Sequence, residues 1–282
     1  MLYREQNAQR ALSPTSITIA DYVINPYAGC DFDCAYCYAK LNSTYKKKKV
    51  RFGEDFVEIK PNFIELLAKE IKEKKPQHVL IGSTTEVYQH IEQKKKTTRR
   101  ILELLNEHHI SYSILTKSHY IERDIDLISQ QAKNQVYVTL NTLDDMVRIQ
   151  LEKQSSSIPQ RLCTIEKIHN AGIRTIIHVG PYLPDLSDGI AIIDRCKDVA
   201  DLIEFENLNL KMAEKTTFLP LLKQHHPTAH EKLATIYETA AGYTRYYTEE
   251  EERLTTHAHL SHTDIRFFFY PFESFYTNIL SY

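Results

Sequence analysis

Apolar and polar positions alternate between two kinds of segment along this chain of 282 residues. Short runs of mostly apolar residues, typical of buried strands in a parallel sheet, recur before residue 211. These runs cover Ser16–Ile24, His78–Ser83, Tyr112–Ser118, Gln135–Thr142, Arg174–Tyr182 and Leu202–Leu210. The segments between them have the apolar spacing of amphipathic helices. Such helices are predicted at Pro61–Lys74, Thr97–His109, Arg123–Lys133, Ile158–Gly172 and Asp188–Ala200.

Strands that alternate with helices in this way predict an α/β fold with parallel strands, and we expect a partial (β/α)6 barrel of the TIM type. In such folds the functional site lies at the carboxyl ends of the strands. After residue 210 the alternation weakens, with a helix predicted at Ala229–Tyr247 and a strand at Asp264–Phe272. We therefore predict a barrel over residues 1–210 and a C-terminal helical and strand extension, packed on the barrel, over residues 211–282.

The charge pattern adds a hypothesis about the substrate. A net charge of −2 argues against a general polyanion-binding protein. Two basic runs, Lys46–Arg51 and Lys94–Arg100, nevertheless fall in loops on the expected site face. Positive charge near a helix start is unfavourable, so a bound anion would offset it. The charged N-terminus and the lack of a long apolar run predict a cytoplasmic protein without a membrane segment.

Three of the five cysteines, Cys30, Cys34 and Cys37, lie within eight residues after the first predicted strand. A structural zinc site needs four ligands, so its fourth would have to come from a distant residue. Three thiolates also suit a [4Fe–4S] cluster that keeps one iron free of protein ligands. Cys163 and Cys196 are predicted to be small buried residues.

The Cys-x3-Cys-x2-Cys motif after a first strand resembles that of the radical S-adenosylmethionine (SAM) superfamily. The stretch NPYAGCDFDCAYCYA, residues 25–39, is similar to the spore photoproduct lyase-like branch of that superfamily. Further similar stretches are Thr84–Glu92, Ile114–Ser118, Val138–Asp145 and Ala171–Asp188. The resemblance implies a [4Fe–4S] cluster on the three cysteines, SAM on the open iron and an external electron donor of the flavodoxin or ferredoxin type. It also implies that reductive cleavage of SAM gives a 5′-deoxyadenosyl radical that abstracts hydrogen from a substrate.

The same resemblance implies roles for five further residues. Tyr36, between the last two cysteines, is expected near the adenine. Ser83 and Lys117, at the ends of the second and third strands, are expected to hold the SAM carboxylate. Thr139 and Asn141 are expected to reach the ribose or the methionine part of SAM, or else to cap the barrel interior as polar residues.

The chain also departs from the branch. Ile81 and Gly82 stand where spore photoproduct lyases carry a hydrogen-donating cysteine, so repair of a thymine dimer by that route is not expected. Glu152-Lys153 replaces a frequent Glu-Pro pair, and the loop that contains it is a candidate for substrate contact. Glu92 has either a structural or a catalytic role.

The leading hypothesis is a radical SAM enzyme whose substrate is unidentified. The basic runs favour a phosphorylated, nucleic-acid or acidic-peptide substrate. The first alternative is modification of a small precursor peptide. The second is a non-enzymatic zinc-binding module.

Overall fold

The computed structural model describes residues 2–41, 56–213 and 217–274. The first basic run, Lys46–Arg51, lies outside these ranges. The strands are β1 (Leu2–Glu5), β2 (Ser13–Pro14), β3 (Tyr22–Ile24), β4 (Tyr27–Ala28), β5 (Phe56–Ile59), β6 (His78–Ile81), β7 (Ser111–Thr116), β8 (Gln135–Thr139), β9 (Arg174–Tyr182), β10 (Leu202–Asn207) and β11 (Ile265–Phe268). The α-helices are α1 (Phe63–Lys74), α2 (Glu92–Lys95), α3 (Thr97–Glu107), α4 (Ile125–Ile128), α5 (Asp145–Leu151), α6 (Ile158–Asn170), α7 (Gly189–Cys196), α8 (Leu210–Ala213), α9 (Phe218–His225), α10 (Pro227–Tyr237) and α11 (Ala240–Leu260). Two 3₁₀ helices cover Tyr38–Leu41 and His119–Asp124.

The main sheet has the spatial order β11-β10-β9-β8-β7-β6-β3-β2. Neighbouring strands from β3 to β11 pair in parallel, and β2 at the edge is antiparallel. The predicted α/β fold with a partial TIM-like barrel is thus confirmed. The sheet gains a further parallel strand, β11, because the segment after residue 210 returns to pair with β10. A second, smaller sheet has the order β1-β5-β4 and lies next to the cysteine loop in the sequence.

Several predicted boundaries were too long. The strand predicted from Ser16 begins at Tyr22, because Ile17–Ala20 forms a turn in which the Ala20 N–H donates to the Ile17 carbonyl oxygen. The helix predicted at Arg123–Lys133 is reduced to α4, since the polar residues that follow Ile128 give no apolar face to bury.

The helix predicted at Ala229–Tyr247 is in fact two helices, α10 and α11. Thr239 separates them with extended backbone angles, φ −137° and ψ 150°. Its side chain accepts a hydrogen bond from the Gly242 N–H, so this residue is the N-cap of α11. The sequence pattern missed the break because Thr239 interrupts the apolar spacing at a single position.

The parallel strands present two different faces. The outer face packs against the helices in one large apolar cluster that also includes residues of α9, α10 and α11. The inner face, which lines the barrel lumen, carries a separate apolar layer. Its members in adjoining registers are Leu115, Tyr137, Ile176 and Leu202. One layer nearer the carboxyl ends, the lumen becomes polar at Lys117, Thr139, His178 and Glu204.

The C-terminal region is joined to the barrel by pairing and by packing. Strand β11 lies in register with β10, and the hydroxyl of Tyr182 on β9 donates to Glu250 on α11 at 2.5 Å. The division of the chain at residue 210 stays a prediction. Within the described ranges, no helix combines the length and the apolar character needed to cross a membrane.

Candidate cluster and cofactor site

The three neighbouring cysteines lie in a loop that follows β4. Gly29 opens this loop with a φ of 89°, a conformation that glycine adopts without strain. The Thr85 hydroxyl donates to the Gly29 carbonyl oxygen at 2.6 Å, which ties the start of the loop to the segment after β6. Further along, the Ala35 N–H donates to the Leu151 carbonyl oxygen at 2.8 Å. The loop is therefore anchored on the segment after β6 and on the end of α5.

The thiols of Cys30, Cys34 and Cys37 are close enough to affect one another's ionisation. Burial raises the pKa of Cys30 well above its usual value, and the charges of the Cys34 and Cys37 thiols raise it further. Burial also raises the pKa of Cys34 to about 12, although the positive charge of Lys117 opposes this. Cys34 is buried, and Cys30 and Cys37 are half-buried. A metal centre stabilises the thiolate form, so three neighbouring thiols of this kind fit a group that supplies positive charge.

Three thiols are a donor set that iron–sulfur clusters use. Among the residues that the structure describes, no three His, Cys, Asp or Glu side chains are arranged to hold a single metal ion. In a [4Fe–4S] cluster each thiolate binds a different iron, so the three sulfurs need not meet at one point. The chemistry of three neighbouring thiols therefore fits the cluster.

Lys117 places a positive charge beside these thiols. Its backbone N–H donates to Glu86 at 2.8 Å, and Glu86 also accepts from the Thr116 hydroxyl at 2.7 Å, so the end of β7 is held in place. The ammonium lies 6.0 Å from the centre of the Tyr36 ring and 3.5 Å from the Thr139 hydroxyl oxygen. In the described part of the chain it forms no ion pair with an acidic side chain. The ammonium is thus available to an anion beside the cysteine loop.

Tyr36 and Asn141 form a second group at this edge of the sheet. The Tyr36 hydroxyl donates to Glu152, and the Asn141 side-chain N–H donates to the Tyr36 hydroxyl at 2.8 Å. The Asn141 side-chain oxygen is buried and has no hydrogen-bond partner. An unpaired buried acceptor is costly, so this oxygen fits a ligand that brings an N–H or O–H donor.

A buried ion pair contacts both Tyr36 and Thr139. Glu152 and Arg161 are 3% and 1% exposed and are paired with each other. Burial acts to raise the pKa of Glu152, but the charges of Arg161 and Lys117 outweigh it and lower the pKa. Arg161 also donates to the Thr139 carbonyl oxygen at 3.0 Å. The Arg161 pair draws the Glu152 side chain into the interior, and substrate contact by the loop that contains it stays a prediction.

Ser83 lies two residues beyond the end of β6, in an adjoining network. The Asn25 side-chain N–H donates to the Ser83 hydroxyl at 3.0 Å, and the Asn25 side-chain oxygen accepts from the Thr84 N–H at 3.1 Å. The Tyr38 hydroxyl donates to the Ser83 carbonyl oxygen at 2.6 Å. Contacts thus join Tyr36 to Asn141 and Lys117 to Thr139, whereas Ser83 contacts the segments around the cysteine loop.

The two remaining cysteines differ. Cys196 is buried, as predicted, whereas Cys163 is exposed, and the prediction for Cys163 was wrong. The buried face of α6 runs through Arg161, Ile165 and Ile168, and position 163 falls on the opposite side. The prediction placed Cys163 on one helix face with Leu162 and Ile165, but only Ile165 of these three lies on the buried face.

The second basic run, Lys94–Arg100, includes the start of α3, where the Glu92 carboxylate already supplies a negative charge. The Glu92 carboxylate accepts hydrogen bonds from the backbone N–H groups of Thr97 and Thr98, each at 3.0 Å. Lys95 pairs with Glu5 at 2.9 Å. Glu92 therefore has a structural role, and it supplies the charge that a bound anion was expected to bring.

Sequence reasoning missed several site residues. Asn25 and Arg161 were overlooked, although Asn25 belongs to the Asn-Pro-Tyr stretch. Also overlooked were His178 on β9 and Glu204 and Glu206 on β10, whose contacts are described below. Each of these three is a polar residue inside an otherwise apolar strand. A search for apolar runs does not single out such a residue.

Comparisons with known proteins identify the family of this chain. The model of the radical SAM superfamily matches residues 24–194. A protein of Methanocaldococcus jannaschii described as uncharacterized is 32% identical over 245 residues, which cover 86% of this chain and 89% of that protein. A protein of Mycobacterium bovis with the same description is 27% identical over 229 residues, covering 77% of this chain and 67% of that protein.

Two solved structures share the fold. A mutant of spore photoproduct lyase matches with a TM-score of 0.67 and 15% identity, covering 95% of this chain and 82% of that one. Streptococcus suis SuiB bound to S-adenosylmethionine matches with a TM-score of 0.59 and 16% identity, covering 90% of this chain and 52% of that one. The chain therefore belongs to the radical SAM superfamily and is an enzyme of the radical SAM type. This family implies SAM and a [4Fe–4S] cluster as cofactors.

Proposed function

We propose that Cys30, Cys34 and Cys37 hold a [4Fe–4S] cluster whose fourth iron binds SAM. When bound, this cluster supplies the electron that cleaves SAM to a 5′-deoxyadenosyl radical, which abstracts hydrogen from a substrate. The electron reaches the cluster from a flavodoxin or ferredoxin type of donor. The support is that one buried and two half-buried thiols lie next to one another in a loop at the carboxyl ends of the parallel strands.

The observation that carries the proposal is the Lys117 ammonium beside these thiols. Lys117 forms no ion pair with a described acidic side chain, and its charge acts directly on Cys34. Its role is to hold the carboxylate of SAM, since an ammonium next to a carboxylate gives a strong charge-assisted hydrogen bond. Ser83 supplies a hydroxyl for the same carboxylate from the end of β6.

The nucleoside part of SAM lies across Tyr36, Thr139 and Asn141. The Tyr36 ring is fixed by its hydroxyl contacts, so it offers a rigid face to the adenine. The unpaired oxygen of Asn141 accepts a hydrogen bond from the ribose or the adenine. Thr139 adds a hydroxyl on the lumen side, near Lys117.

Thymine-dimer repair through a cysteine hydrogen donor is not part of this proposal. Gly82 stands where that donor is expected, with a φ of 95°. A Cβ atom at Gly82 would lie 2.8 Å from the Leu115 carbonyl oxygen. This backbone therefore has no space for a cysteine side chain at that position.

Anaerobic reconstitution tests the proposal. Protein reconstituted with iron and sulfide, then given SAM and dithionite, should release 5′-deoxyadenosine. The triple variant in which Cys30, Cys34 and Cys37 are alanine should release none. One zinc per chain and no iron after anaerobic purification, together with no 5′-deoxyadenosine, would instead favour the zinc-binding module.

A further inference from the structure

The barrel lumen holds a polar group that lies outside the SAM contacts. We name it the acidic wall, and it consists of His178, Glu204, Glu206 and Tyr270. His178 lies in register with Thr139 on one side and Glu204 on the other, so the wall begins one strand beyond the contacts assigned to SAM.

The histidine of the wall lies between two carboxylates. Its Nδ1 atom is 2.9 Å from a Glu204 oxygen, and its Nε2 atom is 3.6 Å from a Glu206 oxygen. Gly180 makes room for this arrangement, because a Cβ atom there would collide with the His178 ring. The backbone of β9 is thus shaped around the imidazole.

Glu206 and Tyr270 form the part of the wall that a ligand can reach. The Glu206 side chain is 43% exposed and lies between His178 on β9 and Phe268 on β11, and burial raises its pKa. Tyr270 is 46% exposed, while its carbonyl oxygen accepts hydrogen bonds from Asn207 at 3.0 Å and from Tyr243 at 2.6 Å. Its ring is therefore presented on a fixed backbone. Glu206 lies in register with Phe268 on β11, and Tyr270 follows two residues further along the chain, so it lies beside Glu206. Burial raises the pKa of Tyr270, and the negative charges of Glu206 and Glu204 raise it further.

Among the residues that the structure describes, no lysine or arginine forms an ion pair with Glu204 or Glu206. Arg266 lies opposite Glu204 on β11, but it is exposed and forms no ion pair with Glu204 in the described part of the chain. Lys117 acts on Glu206 from a distance, and its ammonium is assigned to the SAM carboxylate. Two carboxylates beside an exposed aromatic ring are the surroundings that bind ammonium and guanidinium groups, through charge-assisted hydrogen bonds and cation–π contact.

We propose that the acidic wall binds the substrate through a protonated nitrogen group, an ammonium or a guanidinium. The placement of this group next to the reacting carbon of SAM rests on the proposed function. The acidic wall thus favours a cationic substrate, whereas the basic runs in the sequence favoured an anionic one.

The test uses three probes that share a butyl chain: butylguanidinium, neutral butylurea and butyl phosphate. Saturation-transfer NMR would measure their binding to the anaerobic, reconstituted protein in the presence of SAM. Butylguanidinium should bind at least about tenfold more tightly than butylurea, and butyl phosphate should not bind. Equal binding of the first two probes, or preferred binding of butyl phosphate, would overturn the proposal without any variant.

A matched pair of variants locates the binding. Glu206→Gln should weaken butylguanidinium binding by at least about tenfold, whereas Glu249→Gln, an exposed glutamate on α11, should not change it. Unchanged binding to a folded Glu206→Gln protein would show that the wall is not the substrate site.

The proposed function is read out separately, as 5′-deoxyadenosine from the wild-type protein. Release of this product without selective guanidinium binding would reject only the cationic substrate. Glu206-dependent binding without the product would reject the radical chemistry and leave the acidic wall as a cation site.

Discussion

The hydroxyl group of Tyr36 donates a hydrogen bond to the carboxylate of Glu152, 116 positions further along the chain. Tyr36 lies between two of the cysteines, and Glu152 is paired with the buried Arg161. The cysteine loop is therefore held to the barrel wall by a residue far away in the sequence, which itself belongs to a buried ion pair.

We expect Glu152→Gln to lower the free energy of unfolding by about 3–5 kcal/mol, because it leaves the Arg161 charge buried without a partner. Urea unfolding followed by circular dichroism measures this effect. Removing the second charge as well, with Arg161→Met, should recover part of the loss.

The control for this prediction is Glu73→Gln. Glu73 and Lys69 form an exposed pair at 3.8 Å, so its loss should cost about 0–0.5 kcal/mol. A Glu152→Gln protein as stable as this control would contradict the structural role of the buried pair.

We expect Lys117→Met to weaken SAM binding by about 10–100-fold while leaving the iron content unchanged, because a charge-assisted hydrogen bond to the carboxylate is lost. Equilibrium dialysis with reconstituted protein measures the affinity. Lys69→Met, with a side chain that is 71% exposed, is the matched control. Wild-type affinity in the Lys117 variant would argue that another residue holds the carboxylate.

We expect Gly82→Ala to cost about 2–3 kcal/mol of stability, since it adds a steric clash to the strain of a positive φ. Gly172 also has a positive φ, of 71°, but a Cβ atom there meets nothing within 4 Å. Gly172→Ala should therefore cost only about 1 kcal/mol. Thermal or chemical unfolding of the two variants separates the clash from the strain, and equal losses would show that the Leu115 carbonyl oxygen can move away.

We expect each single alanine variant of Cys30, Cys34 and Cys37 to lose most of its bound iron and the visible absorption of the cluster. Cys163→Ala should keep both, because the Cys163 side chain is exposed on α6. Iron and sulfide analysis after anaerobic reconstitution measures the outcome. Iron loss in the Cys163 variant would mean that the ligand set is larger than the loop.

The sequence predicted those parts of this protein that depend on residues close together in the chain. The strand and helix rhythm follows from local periodicity, and the cysteine motif is complete within eight residues. The ends of strands could be placed to within a few residues, which was enough to put Lys117 and Asn141 on the same edge of the sheet. The two basic runs could also be recognised in the sequence. The role of the second run could not, because the sequence does not show that Glu92 accepts hydrogen bonds at the start of α3.

Tertiary structure alone decided which polar side chains meet. Arg161 looks like a surface residue of an amphipathic helix until the fold places it against Glu152 and the Thr139 carbonyl oxygen. His178 and Glu204 come together because β9 and β10 pair in one register, and a shift of a single residue would separate them. The physical reason is that local propensity depends on neighbours in the chain, whereas strand register and burial depend on residues far apart in sequence, which a linear pattern does not record.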